Sequence, residues 1–276
     1  MSKSRNRVLK LIETRNKIFI KMSEGKKEIL LGDCLELMKD IPNGSIDMIL
    51  CDLPYGTTAC KWDTIIPFDK LWAEYKRIIK PKCAIVLTAS QPFTTKLINS
   101  NIDNFKYCWV WDKKIPSNFA LAKRQPLKYH EDVCVFSFEP HNYYPIFRDN
   151  VKKPFGKIVA GNSEHIKIAS KQERGFGYPK SILEFAKPNN LSKDGNLHST
   201  QKPVELFEYL IKTYTNENDL VLDNTAGSGT TAIACLNTKR QFIVMEKEQK
   251  YYDIILKRVG DFNKNFEPQT LFGNEM

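Results

Sequence analysis

The sequence of 276 residues lacks the features of membrane, secreted and metal-binding proteins. No apolar run reaches the roughly 18 residues that a membrane helix needs, and the basic N-terminus has no apolar secretory stretch. The seven cysteines are odd in number, never spaced as CxxC and mostly within apolar runs, which predicts reduced core residues of a cytosolic protein. The four histidines show no metal-ligand spacing, so we predict no metal site.

Several enzyme signatures are absent as well. The chain has neither the GxGxxG spacing of a dinucleotide site nor the GK[ST] end of a phosphate loop. It also lacks the H-x-E and P-C-x-x-C ligands of the zinc enzymes that deaminate nucleobases. With 42% hydrophobic and 27% charged residues, the composition is nevertheless that of a globular protein with a sizeable core.

The formal net charge of +10 is concentrated in two segments. Residues 1–27 hold nine Lys/Arg against two Asp/Glu, and residues 148–193 hold ten against four. A local excess of positive charge is expected of a protein with a polyanion partner. From charge alone, a solvated surface with a disordered arm explains the pattern equally well.

Alternating strands and helices predict the fold. Strands are predicted at 28–31, 46–51, 83–88, 105–111, 131–138, 219–222 and 241–245. Helices are predicted at 34–39, 68–79 and 251–259, after Pro92, after Pro203 and from Thr230. This alternation is typical of an α/β protein with a doubly wound, mostly parallel sheet covered on both faces. It lapses over 139–197, a stretch too long for a simple connection, which we interpret as a functional insertion.

A glycine-rich turn follows the strand at 219–222. It opens a helix at the position where doubly wound sheets bind nucleotides, and it reads Asp223-Asn224-Thr225-Ala226-Gly227-Ser228-Gly229-Thr230-Thr231. The next strand ends in Glu246, where an acidic side chain can accept hydrogen bonds from ribose hydroxyls. Such a pair suits an adenosine ligand without a phosphate chain, for example S-adenosylmethionine. The turn by itself also fits a purely structural role.

A second motif, Asp52-Leu53-Pro54-Tyr55, ends the strand at 46–51. Its proline stiffens a corner that presents a carboxylate, a backbone carbonyl and an aromatic ring. Asp52 and the Leu53 carbonyl can accept the two N–H groups of an amino group on a flat base, while Tyr55 stacks on the ring. The alternative is a turn that Asp52 caps and against which Tyr55 packs. A shared role for the two motifs requires that they lie side by side on neighbouring strand ends.

Together these motifs resemble the amino-methyltransferases of DNA. The tetrapeptide of that family reads [DNS]-P-P-[YFW], and its cofactor turn usually reads D-P-F-x-G-S-G-T. In this sequence the tetrapeptide comes first, as in the permuted class whose base-binding half precedes the target-recognition insertion. The resemblance covers about residues 28–260, with further landmarks at Gly32–Leu35, Trp72–Pro81, His130-Glu131 and His198–Pro203. Two departures are Leu53 in place of the first proline and Asn224-Thr225-Ala226 in place of Pro-Phe-x.

The resemblance implies a Rossmann-like methyltransferase fold that uses S-adenosylmethionine. The implied catalytic residues are Asp52, Leu53, Pro54 and Tyr55. The implied cofactor-binding residues are Asp33 at the adenine, Glu246 at the ribose, Thr200 and Lys202 at the carboxylate end, and Asp223, Ala226, Gly227, Ser228, Gly229 and Thr230 along the turn.

The resemblance also divides the chain into five parts. They are a basic N-terminal arm (1–27), a base-binding catalytic half (28–138), a target-recognition insertion (139–197), a cofactor-binding half (198–260) and a C-terminal tail (261–276). Residues expected to contact double-stranded DNA from the insertion are Lys171, Arg174, Tyr178 and Lys180. A duplex hides the amino nitrogen, so the base must be flipped out. Trp62 and Phe93 could add stacking surface, although core positions are the more common use of such residues, and a homodimer is a further expectation.

The most specific of these predictions concerns the base that receives the methyl group. Asp rather than Ser at the first motif position favours N6 of adenine. The same scaffold also serves N4 methylation of cytosine, and a non-catalytic DNA-binding protein could retain it. A related family modifies glutamine in proteins, but its tetrapeptide begins with Asn and its motif order is not permuted. The sequence thus predicts a site-specific DNA adenine methyltransferase, with restriction–modification as the expected setting.

Overall fold

The structure is a computed structural model that describes residues 10–14, 17–21, 26–58, 60, 63–148, 177–188 and 201–265. For residues 10–14, 17–21 and 263–265 it describes the backbone alone. Within these ranges no helix is both long enough and apolar enough to cross a membrane. The same ranges contain no group of three or more His, Cys, Asp or Glu residues arranged to hold a metal ion.

Ten strands form one sheet. In chain order they are β1 (Lys10–Thr14), β2 (Lys17–Lys21), β3 (Lys27–Leu31), β4 (Ile46–Asp52), β5 (Ile79–Ala89), β6 (Phe105–Ser117), β7 (Lys128–Phe136), β8 (Ile182–Glu184), β9 (Leu220–Asp223) and β10 (Gln241–Glu246). The spatial order is β1-β2-β3-β10-β9-β4-β5-β7-β6-β8. The five central strands from β3 to β5 are parallel, whereas β1, β2 and β7 pair antiparallel with their neighbours.

Helices cover both faces of this sheet. They are α1 (Cys34–Met38), α2 (Phe68–Ile78), α3 (Phe93–Asn99), α4 (Val204–Tyr214), α5 (Thr230–Asn237) and α6 (Gln249–Asn265). Side chains alternate along each strand, so Leu50 of β4 packs in the core beneath α4–α6, and Cys51 packs in the core beneath α1–α3. The predicted doubly wound α/β architecture is confirmed.

Some elements differ from the prediction. Strands β1 and β2 lie inside the segment predicted as a basic arm, and β8 lies inside the insertion, where no strand was predicted. Three-residue β8 is too short for a periodic signal, but its Leu183 is buried and Trp111 Nε1 donates to the Phe185 carbonyl at 2.8 Å. Helix α2 ends at Ile78 and β5 begins at once, because a residue before proline favours extended backbone and Pro81 follows closely.

The topology places several strand ends at one edge. Strand β9 pairs in parallel with β10 on one side and with β4 on the other. Parallel neighbours present their carboxyl ends at the same edge of a sheet, and in doubly wound folds ligands bind there. Asp52, Asp223 and Glu246 are the last residues of β4, β9 and β10, so all three lie at this edge.

Candidate active site

The two sequence motifs meet at the carboxyl edge of the sheet. The Thr225 hydroxyl donates to the backbone carbonyl of Asp52 at 3.1 Å, which joins the glycine turn to the tetrapeptide. Both segments line one cavity of about 690 Å³, as do Asp33, Lys202 and Glu246. The expectation that the motifs lie side by side on neighbouring strand ends is confirmed.

Asp52 is held by three side chains. Its Oδ1 accepts hydrogen bonds from the Tyr55 hydroxyl at 2.9 Å and from the Thr88 hydroxyl at 2.5 Å. Its Oδ2 accepts from Lys202 Nζ at 2.6 Å. The Asp52 side chain nevertheless keeps 21% of its surface exposed, and it lines the cavity. Thr88, at the end of β5, was not predicted as a site residue, because its place beside Asp52 depends on the pairing of two strands.

A second carboxylate, that of Glu131, lies close to the ion pair of Asp52 and Lys202. Glu131, on β7, lies with Oε2 3.5 Å from Lys202 Nζ and with Oε1 3.4 Å from Lys113 Nζ. Burial opposes ionisation of Glu131, yet the two lysines hold its pKa below its ordinary value. Burial likewise opposes the charge on Lys202, but Asp52 and Glu131 together raise its pKa. From the sequence, Glu131 was predicted as a landmark of the family and Lys202 at the carboxylate end of the cofactor. The interaction between the two side chains was not predicted.

Tyr55 presents an aromatic ring beside Asp52. Phe93 stacks on this ring with centroids 5.0 Å apart and an interplanar angle of 24°. Phe93 is only 1% exposed, so it supports Tyr55 from the core, in agreement with the structural alternative for Phe93. Burial, followed by the charge of Asp52, raises the pKa of the Tyr55 phenol and keeps it protonated as a donor. Trp62 lies outside the described residues.

The glycine turn is fixed by Glu246. Glu246 Oε2 accepts from the Gly227 N–H at 2.8 Å, and Oε1 accepts from the Glu248 N–H at 2.9 Å. Burial raises the pKa of this carboxyl. At the end of the turn Gly229 adopts φ +82°, and a Cβ there would lie 3.0 Å from Ile255. The position therefore requires glycine both for its left-handed backbone and for the close approach of α6.

Asp223 and Asn224 hold the turn in place through buried hydrogen bonds. Asp223 accepts from the Thr225 N–H at 3.0 Å and from the Thr231 hydroxyl, and burial raises the pKa of its carboxyl to about 7. Asn224, which stands where the family pattern has proline, accepts from the Tyr75 hydroxyl at 2.6 Å. The departure from the family pattern thus supplies a buried polar contact between the turn and α2.

The loop after Tyr55 is organised by one carboxylate. Asp63 is buried, and it accepts backbone N–H groups from Gly56 at 2.8 Å, Thr57 at 2.9 Å and Thr58 at 2.7 Å. Burial works against its charge, but these hydrogen bonds prevail and lower its pKa. Asp63, Thr57 and Thr58 line the cavity, so this loop forms part of the wall. Asp63 was not among the predicted site residues.

The remaining predicted residues are distributed as follows. Asp33 is exposed and caps α1 by accepting from the Leu35 N–H at 2.9 Å, while it also lines the cavity. Ala226, Ser228 and Thr230 line the cavity together with Asp223 and Gly227, whereas Gly229 is not a lining residue. Tyr178 and Lys180 are exposed, and neither is a lining residue of the cavity. Thr200, Lys171 and Arg174 lie outside the described residues.

Comparison with known proteins settles the family. The family model for DNA methylases of the N6/N4 type matches residues 46–257, which include both motifs. The chain belongs to this family. The type II methyltransferase M.HindIII of Haemophilus influenzae is 44% identical over 205 residues, covering 68% of this chain and 66% of its own. The DNA adenine methyltransferase YhdJ of Escherichia coli is 26% identical over 247 residues, covering 84% of this chain and 82% of its own.

A solved structure supports the fold. The complex of M1.HpyAVI with S-adenosylmethionine matches with a TM-score of 0.57 and 23% identity, covering 84% of this chain and 98% of the other. This N6/N4 methylase family is S-adenosylmethionine-dependent and acts on DNA, so the chain is an S-adenosylmethionine-dependent DNA methyltransferase. The cavity fits that cofactor chemically, because its walls carry carboxylates for hydroxyl groups and a turn rich in small residues.

Proposed function

We propose that this N6/N4 methylase transfers the methyl group to N6 of adenine in double-stranded DNA. The observation that carries the proposal is the shared cavity, in which the Asp52-Leu53-Pro54-Tyr55 corner lies against the glycine turn. Aspartate at the first motif position supports adenine, and the relative YhdJ is itself a DNA adenine methyltransferase. The family as a whole also includes N4 enzymes, so N4 of cytosine is the second candidate.

The cofactor is assigned to the glycine-turn side of the cavity. Gly227, Ser228 and Gly229 would line it, Glu246 would accept from its ribose hydroxyls, and Asp33 would approach its adenine. Asp223, Ala226 and Thr230 would support the turn, and Thr200 would approach the carboxylate end. When bound, the cofactor supplies an electrophilic methyl group on a sulfonium. The ammonium of Lys202 is engaged by Asp52, so we assign Lys202 to the acceptor side.

The acceptor nitrogen needs help from the protein. Its lone pair is delocalised into the base, which makes it a poor nucleophile. Asp52 and the Leu53 carbonyl would accept its two N–H groups and turn the lone pair towards the methyl group. Pro54 fixes that corner, and Tyr55 stacks on the base. As the nitrogen takes the methyl group from the sulfonium it becomes positively charged, and it then loses one of its protons to solvent. Such a reaction depends on positioning and electrostatics, and it needs no covalent intermediate with the protein.

The DNA must present this nitrogen outside the duplex. We therefore propose that the base is flipped into the cavity, as in other enzymes that modify bases. The insertion would hold the flanking DNA through Lys171, Arg174, Tyr178 and Lys180. Of the two that the structure describes, Tyr178 is 62% exposed and packs on Phe147 with ring centroids 5.2 Å apart. Two subunits acting as a homodimer would be compatible with this arrangement.

One assay tests the proposal. The purified protein is incubated with duplex DNA and S-adenosylmethionine labelled on the methyl group, and the DNA is digested to nucleosides. We expect N6-methyladenine. N4-methylcytosine would replace the adenine assignment by the second candidate. DNA without label, from protein that does not bind the cofactor, would favour a non-catalytic DNA-binding protein.

A further inference from the structure

One ammonium group contacts both groups that the proposed function assigns to the base. Lys202 Nζ lies 2.6 Å from Asp52 Oδ2 and over the Tyr55 ring, 5.5 Å from its centroid. The other oxygen of Asp52 accepts from the hydroxyls of Tyr55 and Thr88. Each oxygen of Asp52 therefore has a protein donor before a base arrives. Lys202 has to withdraw if Asp52 is to attract the amino group with its full charge.

Glu131 offers the withdrawn ammonium a second carboxylate. Its Oε2 lies 3.5 Å from Lys202 Nζ, and this buried oxygen has no hydrogen-bond partner in the described part of the structure. A buried carboxylate oxygen without a donor is unfavourable, so a donor that moves towards it gains free energy. Lys113, 3.4 Å from the other oxygen, is itself 3% exposed and holds Glu131 in place.

We propose that Glu131 is a positioning residue that takes the Lys202 ammonium from Asp52 when the target amino group binds. The inference rests on the proposed function, and it adds a residue to that reaction. No proton moves and no covalent bond changes: Lys202 loses its hydrogen bond to Asp52 Oδ2 and gains one to Glu131 Oε2. A displacement of under about 1 Å brings the two atoms to ordinary hydrogen-bond distance. Asp52 Oδ2 is then open to an N–H of the base, while the charge of Lys202 stays neutralised.

The decisive variant is Glu131→Gln, which keeps the size of the side chain and removes its charge. Lys202 should then remain on Asp52. We expect the single-turnover rate of methyl transfer to fall about 10- to 100-fold, as for a misplaced reacting group. The Kd values for S-adenosylmethionine and DNA should stay within about threefold of wild type, because neither ligand is assigned a contact with Glu131. Glu131→Asp, which retains the charge, should recover part of the rate.

The matched control is Glu208→Gln. Glu208 also pairs with a lysine, Lys212 at 3.7 Å, but it lies on α4 and does not line the cavity. This variant should transfer methyl groups at the wild-type rate. Thermal unfolding of every variant separates a loss of fold from a loss of rate. If Glu131→Gln does not fold, the comparison is made with Glu131→Asp and with the charge-balanced double variant Glu131→Gln/Lys202→Met.

The double variant distinguishes an exchange from a merely structural role. Removing the ammonium frees Asp52, so the double variant should transfer methyl groups faster than Glu131→Gln alone. A double variant no faster than the single one would overturn the inference. The single variant Lys202→Met is measured as well. If Glu131→Gln transfers methyl groups at the wild-type rate and Lys202→Met does not bind the cofactor, the inference is also overturned, since Lys202 would then be a cofactor-binding residue. A wild-type enzyme that labels neither adenine nor cytosine would instead remove the proposed function, and this inference with it.

Discussion

Thr225 donates its hydroxyl hydrogen to the backbone carbonyl of Asp52, 173 positions earlier in the chain. This hydrogen bond, 3.1 Å long, ties the end of β9 to the end of β4. Thr225 stands where the family pattern has phenylalanine, which has no hydroxyl to donate. The sequence departure and the link between the two halves of the site are therefore the same feature.

Thr225→Val tests this link. Valine has nearly the same shape and lacks the hydroxyl, so the two strand ends lose one hydrogen bond. We expect the free energy of unfolding to fall by about 0.5–1.5 kcal/mol. The single-turnover rate should fall by about tenfold because Asp52 is held less firmly. Thr225→Ser keeps the donor and is the control; equal rates in the valine and serine variants would contradict the assignment.

Asp52→Asn tests whether the Asp52 carboxylate attracts the amino group of the base. Asparagine keeps the shape but replaces the charged carboxylate with an amide, so it attracts the amino group weakly. We expect methyl transfer to fall by more than about 100-fold, while cofactor affinity, measured by calorimetry, changes little. The control is Asp69→Asn, which alters an exposed aspartate in the first turn of α2. Full activity in Asp52→Asn would remove Asp52 from the reaction.

The buried carboxyl of Asp223 predicts a pH dependence of stability. Its pKa of about 7 lies above the ordinary value near 3.8, so the folded protein retains a proton that the unfolded chain loses. Stability from this group is therefore greatest below about pH 4 and is lost as pH rises through 7, by as much as roughly 4 kcal/mol. Asp223→Asn should flatten this decline. Urea unfolding of both proteins between pH 5 and 8 measures it, and parallel curves would show that Asp223 does not titrate there.

Asp63 predicts a pH dependence of stability opposite to that of Asp223. Its pKa is lowered, so its contribution to stability is present above its ordinary pKa and is lost as pH falls through the lower native value. Asp63→Asn places an N–H group against backbone donors and should cost about 1–3 kcal/mol at pH 7. The same variant should weaken cofactor and base binding, since the loop at 56–58 forms part of the cavity wall. Unchanged unfolding at pH 7 would exclude this role.

A substitution of Lys180 tests whether the insertion contacts DNA. If it contacts a phosphate, Lys180→Gln should weaken binding of all duplexes alike. The slope of log K against log salt concentration should shrink by about one. Lys76→Gln, an exposed lysine on α2 outside the insertion, is the control. Identical salt slopes for Lys180→Gln and wild type would place the phosphate contacts elsewhere.

The central part of the fold could be predicted because its signals are local. The run Ile46–Cys51 is apolar and ends in Asp52-Leu53-Pro54, and the turn at 227–229 contains two glycines, so each motif marks its own strand end. The resemblance to the amino-methyltransferases of DNA then predicted that the two motifs share one site. Roles for individual residues around that site followed from the resemblance, and they stay predictions until they are measured.

The parts that escaped prediction depend on contacts between distant segments. Glu131 of β7 contacts Lys202, which lies just before α4, and Thr88 of β5 contacts Asp52 of β4. No periodicity along the chain records such pairs. Strand β8 is stabilised by its pairing with β6 and by Leu183 in the core, which three residues of sequence cannot reveal.

Strands β4 and β9 are neighbours in the sheet but far apart in the chain. During synthesis, β4 therefore has to wait for the strand that pairs with it. Strand β4 leaves the ribosome about 170 residues before β9, which at ordinary rates of translation takes roughly 10–30 s. During that interval one edge of an apolar strand has no neighbour, and open edges of this kind pair with other chains. Such non-local pairing is also slow to form. A chaperone that shields this edge during synthesis should therefore favour recovery of native enzyme over aggregates.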